Sequence, residues 1–287
     1  MTTIRSSIRP GANRRRFIAS IRPVAVVIVT LVVIGVPMWM VLVNSFKTTG
    51  ESQSPNLALP HVWNLVQNYS QVFSEGDIWG GFIGSLLVTV PSVVGVLIVG
   101  TAASWVLARR ATRAMSFLYS VGISGIVLPP AVITIVLTLK DLGIAGTVVG
   151  MVGVYMGMFM ATVIFFVTGF IRNIPIELEE AARIDGARPI QVYLQIILPL
   201  LGPVIATATI LVTLSVWNEV FYAFFVLGGG STSTMPLNLF QVASQSQYTN
   251  NWNLIFAYVV LMSLPMLVVF IVAQRRIVSG ITAGAVK

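Results

Sequence analysis

The side chains of this sequence that could carry chemistry are few, and four of its nine acids gather in one segment. That segment is "ELEEAARIDGARPIQVYLQIILPL", Glu177 to Leu200, where Glu177, Glu179, Glu180 and Asp185 interrupt long runs of Val, Ile, Leu and Phe. A further acid, Glu219, stands alone between Arg188 and Arg275. Neither place builds a catalytic centre. The chain has no cysteine and a single histidine, His61, which excludes thiol chemistry, disulfides and a Cys/His metal site. His61, beside Pro60 and Trp63, reads as a surface residue. No paired-carboxylate site, no G-x-S-x-G elbow and no G-x-x-x-x-G-K-[ST] phosphate loop occurs in the 287 residues. The expectation is that the chain is not an enzyme by itself and cannot hydrolyse ATP alone.

The elements that must position these acids are apolar. Charged residues make up 9% of the chain and hydrophobic ones 56%, with a mean hydropathy of +0.91. A soluble domain carries about 25% charged residues, so this chain belongs in a bilayer. Charges act as fences around uncharged stretches, and a spanning helix needs about 20 apolar residues. The expected fold is an all-α membrane protein, a six-span helical bundle crossing near 24–44, 81–106, 115–139, 147–171, 203–227 and 254–273. The first apolar run exceeds the ~7–15 residues of a signal-peptide core, and no small-x-small cleavage pattern follows it, so it reads as a retained helix. With the N-terminus placed in the cytoplasm, fifteen Arg and Lys fall inside and two, Lys47 and Lys140, fall outside. That asymmetry predicts cytoplasmic termini. It also accounts for the net charge of +8 as a topology signal facing anionic lipid, without nucleic acid. The division reads as a basic segment 1–23, a membrane domain 24–273 with a cytoplasmic loop at 172–202, and a tail 274–287.

Within that loop, Pro175 lies near the start of a short helix, where a missing N–H costs nothing. Glu177, Glu179 and Glu180 occupy its first turns, where the helix dipole favours acids. Glu179 and Arg183 form an i,i+4 pair worth a few tenths of a kcal/mol. Gly186 stops the helix as a left-handed cap, and Pro189 begins a second helix. Ile190, Leu194, Ile197 and Leu198 form its expected apolar stripe, and Leu198-Pro199 ends or kinks it. Capping chemistry explains all of this except the pair Ala181-Ala182, whose small side chains suit a surface that must fit closely into a cleft on another protein.

Glu180-Ala181-Ala182, then Gly186, then Ile196-x-Leu198-Pro199 resembles the EAA loop of ABC importer permeases. The flank "FIRNIPIELEEAARIDGA", "NSFK" at Asn44–Lys47, "NYSQVF" at Asn68–Phe73, "WNE" at Trp217–Glu219 and the ending "QRRIVSGITAGAVK" are similar to the carbohydrate-uptake branch, whose familiar relative is the smaller maltose permease subunit. The resemblance implies the fold of a type I importer permease. It implies a cytoplasmic coupling helix docking on an ATPase, with Glu180 pairing a basic residue there, Ala181 and Ala182 allowing close packing, and Gly186 supplying the turn. Asp185, Ile196, Leu198 and Pro199 belong to the same coupling set. In the tail, Gly280, Thr282 and Gly284 would also reach the ATPase pair, the glycines suiting a conformable strand. The implied partners are a second related permease in a heterodimer, two ABC ATPases and an extracytoplasmic sugar-binding protein. ATP and Mg would be used by the ATPases, with no cofactor bound by this chain. The implied location is the bacterial cytoplasmic membrane.

Glu219 lies about 24 Å along the fifth crossing, counted from Pro203 at about 1.5 Å per residue, in the outer part of a core about 30 Å thick. An intramembrane acid is a functional candidate by default, and the alternatives are that it reaches the outer headgroup zone or bonds a polar group on a neighbouring helix. On a continuous helix Asn218 and Tyr222 share a face, with Phe221 and Phe225 on another, so Asn218, Glu219 and Tyr222 are the expected path residues. The outer loops are 47–80 and about 228–252. The second is uncharged and rich in amides and hydroxyls, suited to hydrogen bonding with a neutral partner or a carbohydrate, or else a flexible polar turn. The rival reading is an ion-gradient-driven secondary transporter. Such proteins are usually larger, with internal repeats and buried ionisable groups at the midplane.

Overall fold

The computed structural model describes residues 23–110, 112–128, 130–228, 230–246 and 251–285, with side chains through residue 274 except at 245 and 246. The expected basic segment therefore lies outside the described residues, apart from Pro23. No strand occurs among the described residues. In chain order the helices are α1 (Pro23–Ser45), α2 (Thr49–Ser52), α3 (Leu65–Glu75), α4 (Ile78–Arg109), α5 (Arg113–Ser124), α6 (Val132–Asp141) and α7 (Val148–Ile171). There follow α8 (Glu177–Ile184), α9 (Pro189–Leu200), α10 (Gly202–Trp217), α11 (Phe221–Leu227), α12 (Met235–Ser246) and α13 (Trp252–Ala285).

Four of the described helices are long and apolar enough to cross a membrane alone: α1, α4, α7 and the Trp252–Gln274 part of α13. The pair α9 and α10, bent by 74°, makes a fifth if it counts as one broken span. The expected third crossing, 115–139, is two shorter helices, α5 and α6, and six crossings follow only if these act together. The expected fifth crossing, 203–227, is also interrupted, between Trp217 and Phe221. Hydropathy reads through both gaps because apolar residues within the first and on both sides of the second keep the mean high. The expected conformable tail is corrected as well: the α13 backbone stays helical to Ala285. Glycine lowers helix propensity by about 1 kcal/mol without ending a helix, and no proline follows Pro265.

The chain forms two compact units. The first joins residues up to Gln71 with Ser246–Val260. Its centre is polar. Asn44, Ser45, Lys47, Ser52, Asn68 and Asn253 are all buried. Asn68 Nδ2 donates to the carbonyls of Ser45 at 2.9 Å and Lys47 at 2.8 Å. Its Oδ1 accepts from Asn64 Nδ2 at 2.9 Å and Asn253 Nδ2 at 2.8 Å. Asn44 Nδ2 donates to Asn56 O at 2.8 Å, and Lys47 Nζ to Asn56 Oδ1 at 2.8 Å. Burial lowers the Lys47 pKa from the usual lysine value, and the nearby Glu51 charge partly opposes this. Two of the quoted motifs, "NSFK" and "NYSQVF", thus supply one hydrogen-bonded knot. Asn68→Leu keeps the volume class but strands four partners. The expected cost is about 3 kcal/mol, read as a lowered thermal midpoint of the detergent-solubilised protein; an unchanged midpoint would show that water replaces the amide.

The second unit holds Val72–Gln245 and the chain from Leu261. Its spine is α4 packed along α7. The two approach closely because Gly95 and Gly100 have no side chain. A Cβ at Gly95 would lie 2.6 Å from Met156 Sδ, and one at Gly100 2.8 Å from Val163 Cγ1. Asp77 caps α4 by accepting from Gly80 N, and Thr147 caps α7 by accepting from Gly150 N. The segment read as a flexible or hydrogen-bonding polar loop is partly packed. Thr234, Met235, Leu237 and Asn238 are buried. Met235 N donates to Ser85 Oγ at 2.9 Å, and Asn238 Nδ2 to Asp77 O at 3.1 Å. A Cβ at Gly84 would collide with the Ser233 carbonyl, so the loop sits on bare α4 backbone.

Candidate functional site

The acidic segment folds as two helices around one turn. α8 has Glu177, Glu179 and Glu180 in its first turn and Arg183 in its last. Gly186 carries a φ of 84°, a left-handed conformation. Gly186 N donates to Arg183 O and Ala187 N to Ala182 O at 2.9 Å, closing the helix end. The turn expected at Gly186 is therefore present, and no heavy atom lies within 4 Å of a Cβ built there.

The acids divide. Glu180 is exposed, as are Ala181 and Asp185, while Ala182 is half-buried against the core. Ile184 is 87% exposed, an apolar side chain presented at the tip of α8. Glu179 is fully buried. Its Oε1 lies 2.6 Å from Arg109 Nε, and its Oε2 accepts from Trp105 Nε1 at 3.2 Å. Arg109 also donates to Ile174 O at 2.9 Å. The expected Glu179–Arg183 pair exists at a looser 3.5 Å, so the Arg109 contact is the stronger one. Sequence reading counted Arg109 only as a topology charge. The signal that was available is Trp105 and Arg109, two N–H donors four residues apart at the end of an apolar helix.

The second helix, α9, departs from its expected stripe. Ile190 is 58% and Leu194 50% exposed, whereas Val192, Tyr193 and Ile197 are buried. Residues Val192–Ile197 form a wide π turn, which adds residues per turn and rotates the buried face away from the 3.6-residue pattern. Ile196 and Leu198 are half-buried and Pro199 is exposed. Tyr193 Oη meets Thr101 Oγ1 at 2.7 Å, and its ring stacks on Trp105, so α9 is fastened to α4 beside the Glu179 clamp.

The three expected path residues surround the gap between α10 and α11. A shared face for Asn218 and Tyr222 assumed one continuous helix, and the interruption removes that assumption. Asn218 is exposed, and its Nδ2 donates back to Leu214 O at 2.8 Å. Glu219 is half-buried. Its Oε1 accepts from Tyr222 N at 2.9 Å, and its Oε2 from Ala223 N at 3.2 Å and Tyr155 Oη at 2.7 Å. Tyr222 Oη donates to Pro130 O at 2.9 Å. Phe221, Phe224 and Phe225 stay exposed beside them. Trp217 is buried, and its Nε1 donates to Met262 O at 3.4 Å. A separate groove of about 570 Å³ between α10 and α13 is lined by Ile205, Thr209, Thr213, Val268 and others, without the path residues. Gly280, Thr282 and Gly284 lie on the helical α13 backbone, and their surroundings fall outside the described residues.

Residues 100–282 match the family model described as "Binding-protein-dependent transport system inner membrane component". The chain is similar to the diacetylchitobiose uptake system permease protein NgcG of Streptomyces coelicolor, 29% identical over 97% of this chain and 92% of that protein. It is 33% identical to the multiple sugar-binding transport system permease protein MsmG of Streptococcus mutans, over 89% of this chain and 93% of that one. Among solved structures it shares its fold with a chain of a bacterial ABC transporter involved in the import of the acidic polysaccharide alginate. That match has a TM-score of 0.75 and 22% identity, covering 96% of this chain and 99% of the other.

Proposed function

The chain belongs to the family of binding-protein-dependent transport system inner membrane components, and from that membership we propose that it is the membrane subunit of an ATP-driven sugar importer. It forms half of the path for a mono- or oligosaccharide. The observation that carries the reading is the near end-to-end likeness to permeases of sugar-uptake systems. An ion-gradient-driven carrier finds no support in these relatives.

In this reading the chain pairs with a second related permease, two ABC ATPases and an extracytoplasmic sugar-binding protein. It binds no cofactor and catalyses nothing by itself, and ATP and Mg are used by the ATPases. It sits in the bacterial cytoplasmic membrane with both termini inside, as the distribution of arginines supports. α8 is the coupling helix. Its exposed Glu180, Ala181 and Asp185 meet the ATPase, Gly186 holds the turn, the half-buried Ala182, Ile196 and Leu198 seat the loop on the bundle, and the exposed Pro199 completes the coupling set. Gly280, Thr282 and Gly284 of the tail reach the ATPase pair. Asn218, Glu219 and Tyr222 shape the sugar path, with Asn218 the residue whose exposure suits direct contact.

The test is an affinity pull-down from mildly solubilised native membranes, with partners identified by mass spectrometry. Recovery of a second permease, an ATPase and a binding protein is the expected result, and that binding protein is then screened against sugars. Recovery of this chain alone, in a detergent shown to preserve membrane complexes, would overturn the reading.

A further inference from the structure

The bonds around the interruption at 218–220 do more than line a path. On one side of it, Asn218 turns back to Leu214 O and Trp217 donates to Met262 O, tying α10 to itself and to α13. On the other side, Glu219 holds the first turn of α11 and the hydroxyl of Tyr155, which lies in the unbroken α7 and is 1% exposed. Tyr222 joins the same turn to Pro130, in the gap between α5 and α6. The breaks in the third and fifth crossings are thus hydrogen-bonded to each other and to α7 through side chains, while α10 meets α4 and α7 through packing. The α10 contacts on the core are apolar, through Ala208, Val212 and Val216, and such contacts allow small sliding shifts.

We propose that Glu219 is a positioning residue for transport, a latch that fixes α11 to α7 and to the third crossing so that bending at 218–220 moves α10 against a stationary α11. A carboxylate suits this place because both oxygens only accept, and three donors converge on them. An amide offers one accepting oxygen and turns N–H groups toward the others. The proposal rests on the transport reading and adds a mechanical role for the acid in place of contact with sugar.

The experiment uses the whole transporter, reconstituted with its ATPases and binding protein, and measures sugar taken up per ATP hydrolysed. Tyr155→Phe and Glu219→Ala are each expected to lower that ratio by about fivefold, at wild-type yield of assembled complex. The double variant is expected to be no worse than Glu219→Ala alone, because Glu219→Ala already removes the Tyr155 bond. Glu219→Gln is expected to keep part of the ratio through its remaining acceptor. If Tyr155→Phe keeps the wild-type ratio, or the two losses multiply, the latch is wrong. A fall in complex yield that accounts for the whole loss overturns it too. A wild-type complex that imports no sugar on ATP overturns the transport reading, and the latch with it.

Discussion

Glu179→Leu is expected to destabilise the protein by about 3–5 kcal/mol, the largest stability loss of any single substitution considered. The carboxylate is fully buried, and it is the acceptor that Arg109 Nε and Trp105 Nε1 share. Removing it leaves a guanidinium that is 14% exposed with the Ile174 carbonyl as its remaining protein partner. A charge taken from water and then unpaired costs far more than the pair contributes. The check is thermal unfolding of the solubilised chain followed by its helical circular dichroism. Arg109→Met with Glu179→Leu is expected to be milder than either change alone, since the double variant buries no lone charge. A wild-type midpoint for Glu179→Leu would show that Arg109 swings out to solvent.

Gly186→Val is expected to fold and assemble but to lose about tenfold or more in transport. The left-handed backbone there costs a side-chain-bearing residue about 1–2 kcal/mol, and more for a β-branched one. No neighbour would be struck, since the space around the Cβ is open. The strain therefore falls on the turn that presents α8, not on the core. Gly186→Asp, with a residue that enters this conformation more readily, is expected to fall between wild type and valine. Uptake in intact cells, set against the amount of assembled complex, separates coupling from folding. Normal uptake by both variants would show that the turn geometry is not needed.

What the sequence disclosed was local or cumulative. The apolar stretches, the acids opening α8 and the glycine closing it depend on residues within a turn or two, and they lie where expected. The Arg109–Glu179 clamp joins residues 70 apart, and no periodicity reports such a pair. The gap at 218–220 was hidden because the aromatic and aliphatic residues around Asn218 and Glu219 keep the mean hydropathy high across the interruption. The stripe over Ile190 and Leu194 failed because a π turn changes the period on which the pattern rests. In each case the deciding interaction comes from another element, and propensity yields to it.

The polar knot of the first unit also sets an order of events during synthesis. Asn68 is made early, yet the amide that completes its bonding belongs to Asn253, 185 residues later. Ser52 waits longer still for the same residue, 201 positions on. Until the start of α13 leaves the ribosome, the early arm must keep these groups hydrated, and it cannot reach its finished state alone. The start of α13 is therefore what completes the bonding of α2 and α3. A nascent chain that ends before Asn253 would leave Asn68 Oδ1 without the Asn253 amide and Ser52 Oγ without the Asn253 side-chain carbonyl, so the polar knot of this unit would stay open to water.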